Sequence, residues 1–178
     1  SFVESRRQKT SEKDRKLVQS ILNDVRKNGD SAVKKYERKF NGRKTSQLRV
    51  SAKEIKEARS KISREEVIAL QTMSAHLSNS SPKIQIRGPR KFVAIPSVGC
   101  YIPGGQARYP SSVVMSAIPA KIAGVKRIVI VSPPDRDGKI DPLTIVAAKK
   151  CGATEIYKIG GAQAIGALAY GTKSIPKV

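Results

Sequence analysis

The second half of the chain alternates regularly between short apolar strands and single helices, and this pattern restricts the fold class. Three strand-like segments are each followed by one helix-like segment, the pairs being 98–102 with 112–123, 127–131 with 141–150, and 155–159 with 162–170. Strands separated by one helix predict parallel pairing, because a helical crossover returns the chain to the same end of the sheet. The sequence therefore predicts the α/β class, with a parallel sheet covered on both faces.

The residues before this region predict helices rather than strands. Apolar residues recur at helical spacing in two stretches, which are Val18, Ile21, Leu22 and Val25, and then Val33, Tyr36 and Phe40. Gly29 and Gly42 follow these stretches, where glycine commonly ends a helix. We therefore expect a helix-rich N-terminal domain over residues 1–100 and a second domain over residues 101–178.

Two capping boxes mark further helix starts in the N-terminal region. A short strand-like segment, 48–50, precedes Ser51-x-x-Glu54, and Ser63-x-x-Glu66 follows it. In this pattern the serine and glutamate side chains satisfy the free N–H groups of a first helical turn. Each box therefore predicts that a helix begins there.

The helix expected after the second box carries an apolar stripe. Val67, Leu70, Met73 and Leu77 recur at helical spacing, which indicates a face packed in the core. The polar stretch 78–82 is expected to end this helix, and 84–96 to run extended into the α/β region.

The net charge is large enough to bear on function. The chain has 35 Lys and Arg residues against 14 Asp and Glu residues, a formal charge of +21, which attracts polyanions. The excess is spread along the chain, and 5 Tyr, 3 Phe and no Trp offer little surface for stacking bases. This pattern favours a solvated basic surface, and a nucleic-acid-binding module stays open as the alternative function.

Cysteine spacing and hydropathy indicate the cellular compartment in which the protein is expected. Cys100 and Cys151 lie far apart, so a paired-thiolate metal site and a disulfide framework are both disfavoured. No run of 18 apolar residues is present, and residues 1–16 are charged, unlike a signal sequence. The sequence predicts a soluble, cytoplasmic protein with no membrane partner.

Two glycine-rich loops are the candidate ligand sites, because parallel sheets bind ligands beyond the carboxyl ends of their strands. They are Tyr-Ile-Pro-Gly-Gly at 101–105 and Gly-Gly-Ala-Gln at 160–163. Absent Cβ atoms let a ligand approach the backbone, and free N–H groups favour an anionic or polar group. Neither loop matches a standard nucleotide fingerprint, so tight turns without a ligand remain an alternative interpretation.

Other catalytic arrangements lack the required residues. His76 is the only histidine, so a multi-histidine metal site or a Ser-His-Asp triad with a second imidazole is not available. Cys100 and Cys151 are expected to be buried, inert thiols. Four carboxylates after residue 100 are interpreted as loop and cap residues rather than an acid/base pair, namely Asp135, Asp137, Asp141 and Glu155.

Longer motifs carry a family resemblance. They are the segments 98–105, 109–115, 117–125, 132–134, 147–152, 160–165 and 167–172. Together they resemble the signature of the histidinol dehydrogenases. Fainter similarity at 24–26 and 29–32 extends the resemblance over most of the N-terminal half.

The resemblance implies a cytoplasmic, zinc-requiring enzyme that oxidises L-histidinol to L-histidine in two NAD-dependent steps. It implies a homodimer with a Rossmann-like domain that begins near Tyr101. Tyr101 and Gln163 correspond to two of the family's NAD contacts. A tyrosine hydroxyl and a glutamine amide suit the holding of a cofactor's sugar or phosphates rather than proton transfer.

The end of the chain departs from the family pattern. The sequence finishes at 175–178, where the family continues into a Gly-Pro-Gly-Asn segment with a third NAD contact. The family's zinc ligands and its Glu-His pair lie further on, and His76 matches none of them. We therefore expect no catalytic or metal-ligating residue in this chain and no activity from it alone.

Overall fold

A computed structural model describes residues 11–42, 47–80, 93–104 and 107–178. The elements formed by these residues are, in chain order, α1 (Glu12–Asn28), α2 (Asp30–Asn41), α3 (Ala52–Ser60), α4 (Arg64–Ser80), β1 (Ser97–Tyr101), α5 (Pro110–Ile122), β2 (Arg127–Ser132), α6 (Pro142–Lys150), β3 (Glu155–Lys158) and α7 (Gly161–Tyr170). The predicted α/β class is confirmed.

The three strands form one parallel sheet in the order β1-β2-β3. Val98 lies opposite Ile128, and Ile130 lies opposite Ile156, so the pairing register is continuous across the sheet. α5 and α6 are the crossovers between successive strands. The parallel pairing predicted from the strand and helix alternation is therefore confirmed.

The strand-like segment 48–50 lies against the outer edge of β3. Val50 N–H donates to the Ile156 carbonyl at 2.9 Å, and Lys158 N–H donates to the Leu48 carbonyl at 2.7 Å. Arg49 forms a single antiparallel bridge with Tyr157 between them. The segment is thus too short to be a strand, but it covers hydrogen-bonding groups that an open edge would expose.

Helices cover both faces of the sheet, as predicted. Along β2, Ile128 and Ile130 pack in one buried cluster with α3, α4, α5 and α6. Val129 and Val131 point to the opposite face and pack with α1, α2 and α7. The helices that precede the sheet in sequence therefore cover it directly, and the division at residue 100 stays a prediction.

The predicted helix ends are confirmed at the glycines and at the capping boxes. Gly29 and Gly42 follow α1 and α2 with φ of 52° and 71°. Ser51 and Glu54 form a complete capping box before α3. Before α4, Ser63 N–H donates to Glu66 Oε2 at 2.9 Å and Glu66 N–H donates to Ser63 Oγ at 3.1 Å.

Two expectations for α4 were wrong. The helix runs through the expected breaker to Ser80, because the Ser78 and Ser80 hydroxyls donate to the Ser74 and His76 carbonyls one turn earlier. Met73 is 37% exposed rather than core, because it lines an open apolar groove between α4 and α5. The predicted extended segment 84–96 lies mostly outside the described residues.

None of the described helices combines the length and the apolar character needed to cross a membrane.

Candidate cofactor site at the strand ends

The two glycine-rich loops meet at the carboxyl edge of the sheet. Tyr101 ends β1, and Gly161 opens α7 directly after β3. The Gly161 N–H donates a hydrogen bond to the Tyr101 hydroxyl oxygen at 3.1 Å. The structure therefore brings the loop of Tyr101 and the loop of Gln163 together, while Gly105 lies outside the described residues.

Close backbone packing explains why glycine occupies both loops. A Cβ at Gly104 would lie 2.6 Å from Ser132 Oγ, and a Cβ at Gly160 would lie 2.6 Å from Pro133 Cγ. Contacts this short do not occur between real side chains, so only glycine fits either position without a shift. The loops after β1, β2 and β3 thus pack against one another through the Ser132-Pro133 segment.

A buried carboxyl group from the N-terminal region supports the second loop. Glu37, on α2, is fully buried. Its Oε1 atom accepts a hydrogen bond from Gly160 N–H at 3.0 Å and another from Gln163 Nε2 at 2.8 Å. A helix more than 120 residues earlier in the chain therefore fixes both the turn after β3 and the side chain of Gln163.

Gln163 lies in the first turn of α7 with only 1% of its surface exposed. Its Nε2 is bonded to Glu37, but its Oε1 is buried and has no hydrogen-bond partner within the structure described. The Oε1 atom lies beside Gly161, where a Cβ would approach it to 2.7 Å. A buried carbonyl oxygen without a donor is uncommon and destabilises the folded state. It therefore indicates that a ligand or a water molecule donates the missing hydrogen bond.

The expectation of free N–H groups at the start of α7 was wrong for two residues. Gly160 N–H is bonded to Glu37, and Gly161 N–H is bonded to Tyr101. The carboxyl group of Glu37 also lies where the helix dipole favours negative charge. This turn therefore has less capacity to hold an anion than its sequence indicated, and Gln163 offers an acceptor.

A cavity of about 210 Å³ with a mixed polar and apolar lining lies beside this site, between the loops that follow β1 and β2. Gly104, Ser132 and Arg108 are among the residues that line it. The guanidinium group of Arg108 is 3.0 Å from a Glu66 oxygen and 2.9 Å from an Asp141 oxygen. The cation is therefore balanced by protein carboxylates.

Both cysteine thiols are buried, as expected from the sequence. Cys100 and Cys151 are 8% and 1% exposed, and burial raises the pKa of each thiol. A raised thiol pKa lowers the thiolate fraction at neutral pH and with it the reactivity. His76 is exposed on α4, on an apolar groove rather than at the strand ends.

Three of the four carboxylates after residue 100 have clear structural roles. Asp135 accepts hydrogen bonds from the N–H groups of its own turn, and Asp141 caps α6 by accepting from Thr144 N–H. Glu155 is ion-paired to Arg127 at 2.7 Å. The prediction that these residues are loop and cap groups is confirmed for the two aspartates, whereas Glu155 is a strand residue in an ion pair.

Among the residues that the structure describes, no group of three or more His, Cys, Asp and Glu side chains could hold a metal ion.

Sequence reasoning missed Glu37, although a signal was present. Glu37 lies four residues after Val33 and three before Phe40, so it falls on the apolar stripe of α2. A carboxyl group on the buried face of an amphipathic helix requires buried partners. The pattern alone could not identify those partners as Gly160 and Gln163.

Fold and site together define a three-layer α/β protein with a candidate ligand site at the carboxyl edge of a parallel sheet. The model of the family described as histidinol dehydrogenase matches residues 4–178. The chain belongs to the histidinol dehydrogenase family.

Individual relatives agree with this assignment. The histidinol dehydrogenase of Bacillus licheniformis is 42% identical over 179 residues, covering 94% of this chain and 42% of that protein. The histidinol dehydrogenase of Methanocaldococcus jannaschii is 43% identical and is matched over 90% of this chain and 40% of its own length. The crystal structure of the Elizabethkingia anophelis histidinol dehydrogenase superposes with a TM-score of 0.82 at 32% identity, covering 92% of this chain and 40% of that one.

The chain therefore spans about two fifths of the length of these relatives. The comparisons give no support to the alternative of a nucleic-acid-binding module, which depended only on the net charge.

Proposed function

We propose that this chain is the cofactor-side part of a histidinol dehydrogenase and that Tyr101 and Gln163 contact NAD. The observation that carries the proposal is the hydrogen bond between Gly161 N–H and the Tyr101 hydroxyl, which joins the two loops in one site. Family membership supports the choice of NAD among possible ligands.

The residues at the strand ends fit such a cofactor. Gln163 Oε1 is a buried acceptor that lacks a donor, and ribose hydroxyls and the nicotinamide carboxamide of NAD are donors. Tyr101 is 38% exposed, and its ring offers an apolar face beside the turn. When bound, NAD supplies the hydride acceptor of the reaction, and the residues of this chain hold and orient it.

The substrate, the metal and the assembly are further parts of the proposal. The parent enzyme oxidises L-histidinol to L-histidine, uses zinc, acts in the cytoplasm and is a homodimer. Substrate oxidation needs a positioned base for the alcohol proton, and the side chains at this site bind and orient instead. We therefore assign no proton transfer to Tyr101 or Gln163.

A paired assay tests the functional assignment. NADH formation with L-histidinol and zinc content by elemental analysis are measured for these 178 residues and for the full product of the encoding gene. We expect turnover and stoichiometric zinc in the full product alone. Turnover with bound zinc in the 178-residue chain would overturn the assignment of the chemistry to the rest of the parent enzyme. Inactivity of both proteins would overturn the proposed reaction.

A further inference from the structure

We infer that Glu37 is a positioning residue of the cofactor site, which holds the Gln163 amide so that its carbonyl oxygen is the acceptor offered to a hydrogen-bond donor of the cofactor. The inference deepens the proposed NAD function and rests on it. Glu37 is fully buried, and its Oε1 atom already accepts hydrogen bonds from two groups of the protein. It acts through its 2.8 Å hydrogen bond to Gln163 Nε2.

The contact with Glu37 decides which end of the Gln163 amide is available. Glu37 Oε1 already accepts from Gly160 N–H at 3.0 Å and can only accept again from the amide nitrogen. Rotating the amide by half a turn would place two oxygen atoms together and lose the hydrogen bond. Nε2 is therefore held inward, and Oε1 is left without a partner.

The space beside Oε1 is kept clear by glycine. At Gly161 the backbone has φ of 60°, and a Cβ there would lie 2.7 Å from Gln163 Oε1. Any side chain at this position would be strained and would also overlap the oxygen. Gly161 is itself exposed, so the turn next to the buried acceptor is in contact with solvent.

This arrangement selects a donor rather than a phosphate group. Phosphate oxygens are acceptors and cannot donate a hydrogen bond to a carbonyl oxygen such as Gln163 Oε1. The N–H groups of Gly160 and Gly161, which would otherwise bind an anion, are bonded within the protein. The chemistry recognised by Gln163 is therefore a hydroxyl or amide N–H, which NAD carries on its riboses and its carboxamide.

Three single variants of the 178-residue chain test the inference by NAD titration. Glu37→Leu removes the acceptor, and Glu37→Gln keeps one carbonyl oxygen that accepts both hydrogen bonds. We expect NAD affinity to fall roughly tenfold in Glu37→Leu, the effect of one lost hydrogen bond, and to stay near wild type in Glu37→Gln. Glu12→Leu, at an exposed ion pair on α1, is the matched control and leaves affinity unchanged.

A double variant separates positioning from general destabilisation. If Glu37 acts through Gln163, adding Glu37→Leu to Gln163→Leu weakens NAD binding no further than Gln163→Leu alone. The inference is wrong if the losses of NAD affinity in the two single variants add in the double variant, or if Glu37→Leu binds NAD as tightly as the wild type. Should Glu37→Leu fail to fold, Glu37→Asp replaces it, because the shorter side chain withdraws the acceptor while keeping the carboxyl group.

A spectroscopic readout keeps this inference separate from the proposed function. The Gln163 side-chain amide resonances are expected to be protected from solvent exchange in the wild type and in Glu37→Gln, and unprotected in Glu37→Leu. If the wild-type protein does not bind NAD, the proposed function is wrong. If the Gln163 side-chain amide of the wild-type protein is not protected from exchange, the inferred orientation of Gln163 is wrong. If inorganic pyrophosphate shifts these resonances as NAD does, the inference that Gln163 binds a hydrogen-bond donor of the cofactor is wrong.

Discussion

The hydroxyl oxygen of Tyr101 accepts a hydrogen bond from the backbone nitrogen of Gly161 at 3.1 Å, which ties the end of β1 to the first turn of α7. The two residues are 60 positions apart in sequence and belong to the two loops that sequence analysis identified. This hydrogen bond joins the two turns into one site. Removing the single hydroxyl oxygen of Tyr101 would remove it.

Replacing Tyr101 by Phe is expected to weaken NAD binding and to lower the free energy of unfolding by about 0.5 to 1 kcal/mol, because water can partly replace the lost acceptor. Urea denaturation measures the second effect, and NAD titration measures the first. Tyr109→Phe is the matched control, since Tyr109 is 41% exposed against 38% for Tyr101. Equal effects of the two changes would contradict the role given to the Tyr101 hydroxyl.

Replacing Gly160 by Ala is expected to destabilise the protein by about 1 to 3 kcal/mol, because the new methyl group would overlap Pro133 and force the loops apart. NAD affinity should fall as well. Gly42→Ala has nothing within 4 Å of its new Cβ, so it adds only the strain of a φ of 71° and leaves NAD affinity unchanged. Wild-type NAD affinity in Gly160→Ala would show that the loop packing does not shape the site.

The Glu155 carboxylate is expected to contribute a pH-dependent part of stability. The Arg127 guanidinium beside it holds the pKa of Glu155 below its usual value of 4.5. Because the folded-state pKa is depressed, this contribution is present above about pH 4.5 and is lost as the pH falls through the folded-state value.

Glu155→Gln should therefore destabilise the protein by about 1 to 3 kcal/mol at pH 7 and by less near pH 3. Denaturant unfolding at both pH values measures the difference. Glu12→Gln, at an ion pair whose carboxylate side chain is 80% exposed, should change stability little at either pH. A loss for Glu155→Gln that is the same at both pH values would contradict the ion pair as its cause.

Both thiols are expected to resist alkylation in the folded protein. Burial raises the pKa of Cys100 and of Cys151, so little thiolate is available at pH 8. Mass spectrometry after iodoacetamide treatment should show modification in denaturing urea and almost none without it. Rapid labelling of either cysteine in folded protein would show that its thiol is accessible and reactive.

Local sequence patterns predicted the secondary structure closely because they depend on nearest neighbours along the chain. The first strand was expected at 98–102 and is found at Ser97–Tyr101, and the last helix was expected at 162–170 and begins one residue earlier, at Gly161. Alternating apolar residues and glycine-rich turns carry this information. The length of α4 was missed because serine hydroxyls can bond to the carbonyls of the preceding turn and remain helical.

The candidate site was predictable only in part. Its two loops follow from strand order, and the choice of Tyr101 and Gln163 came from the family resemblance. The partner of Gln163 could not be predicted, because Glu37 is 126 residues away and no periodicity reports such a contact. The packing of Gly104 and Gly160 on the loop after β2 likewise depends on three-dimensional distances.

Two-dimensional amide spectra of the 178-residue chain during an NAD titration test whether the loops of Tyr101 and Gln163 form a cofactor site. We predict saturable shifts centred on residues 101–104 and 160–164, with the Gln163 side-chain amide among them, and their loss in Gln163→Leu. Shifts confined to other parts of the chain, or the same shifts in Gln163→Leu, would show that these two loops do not bind NAD.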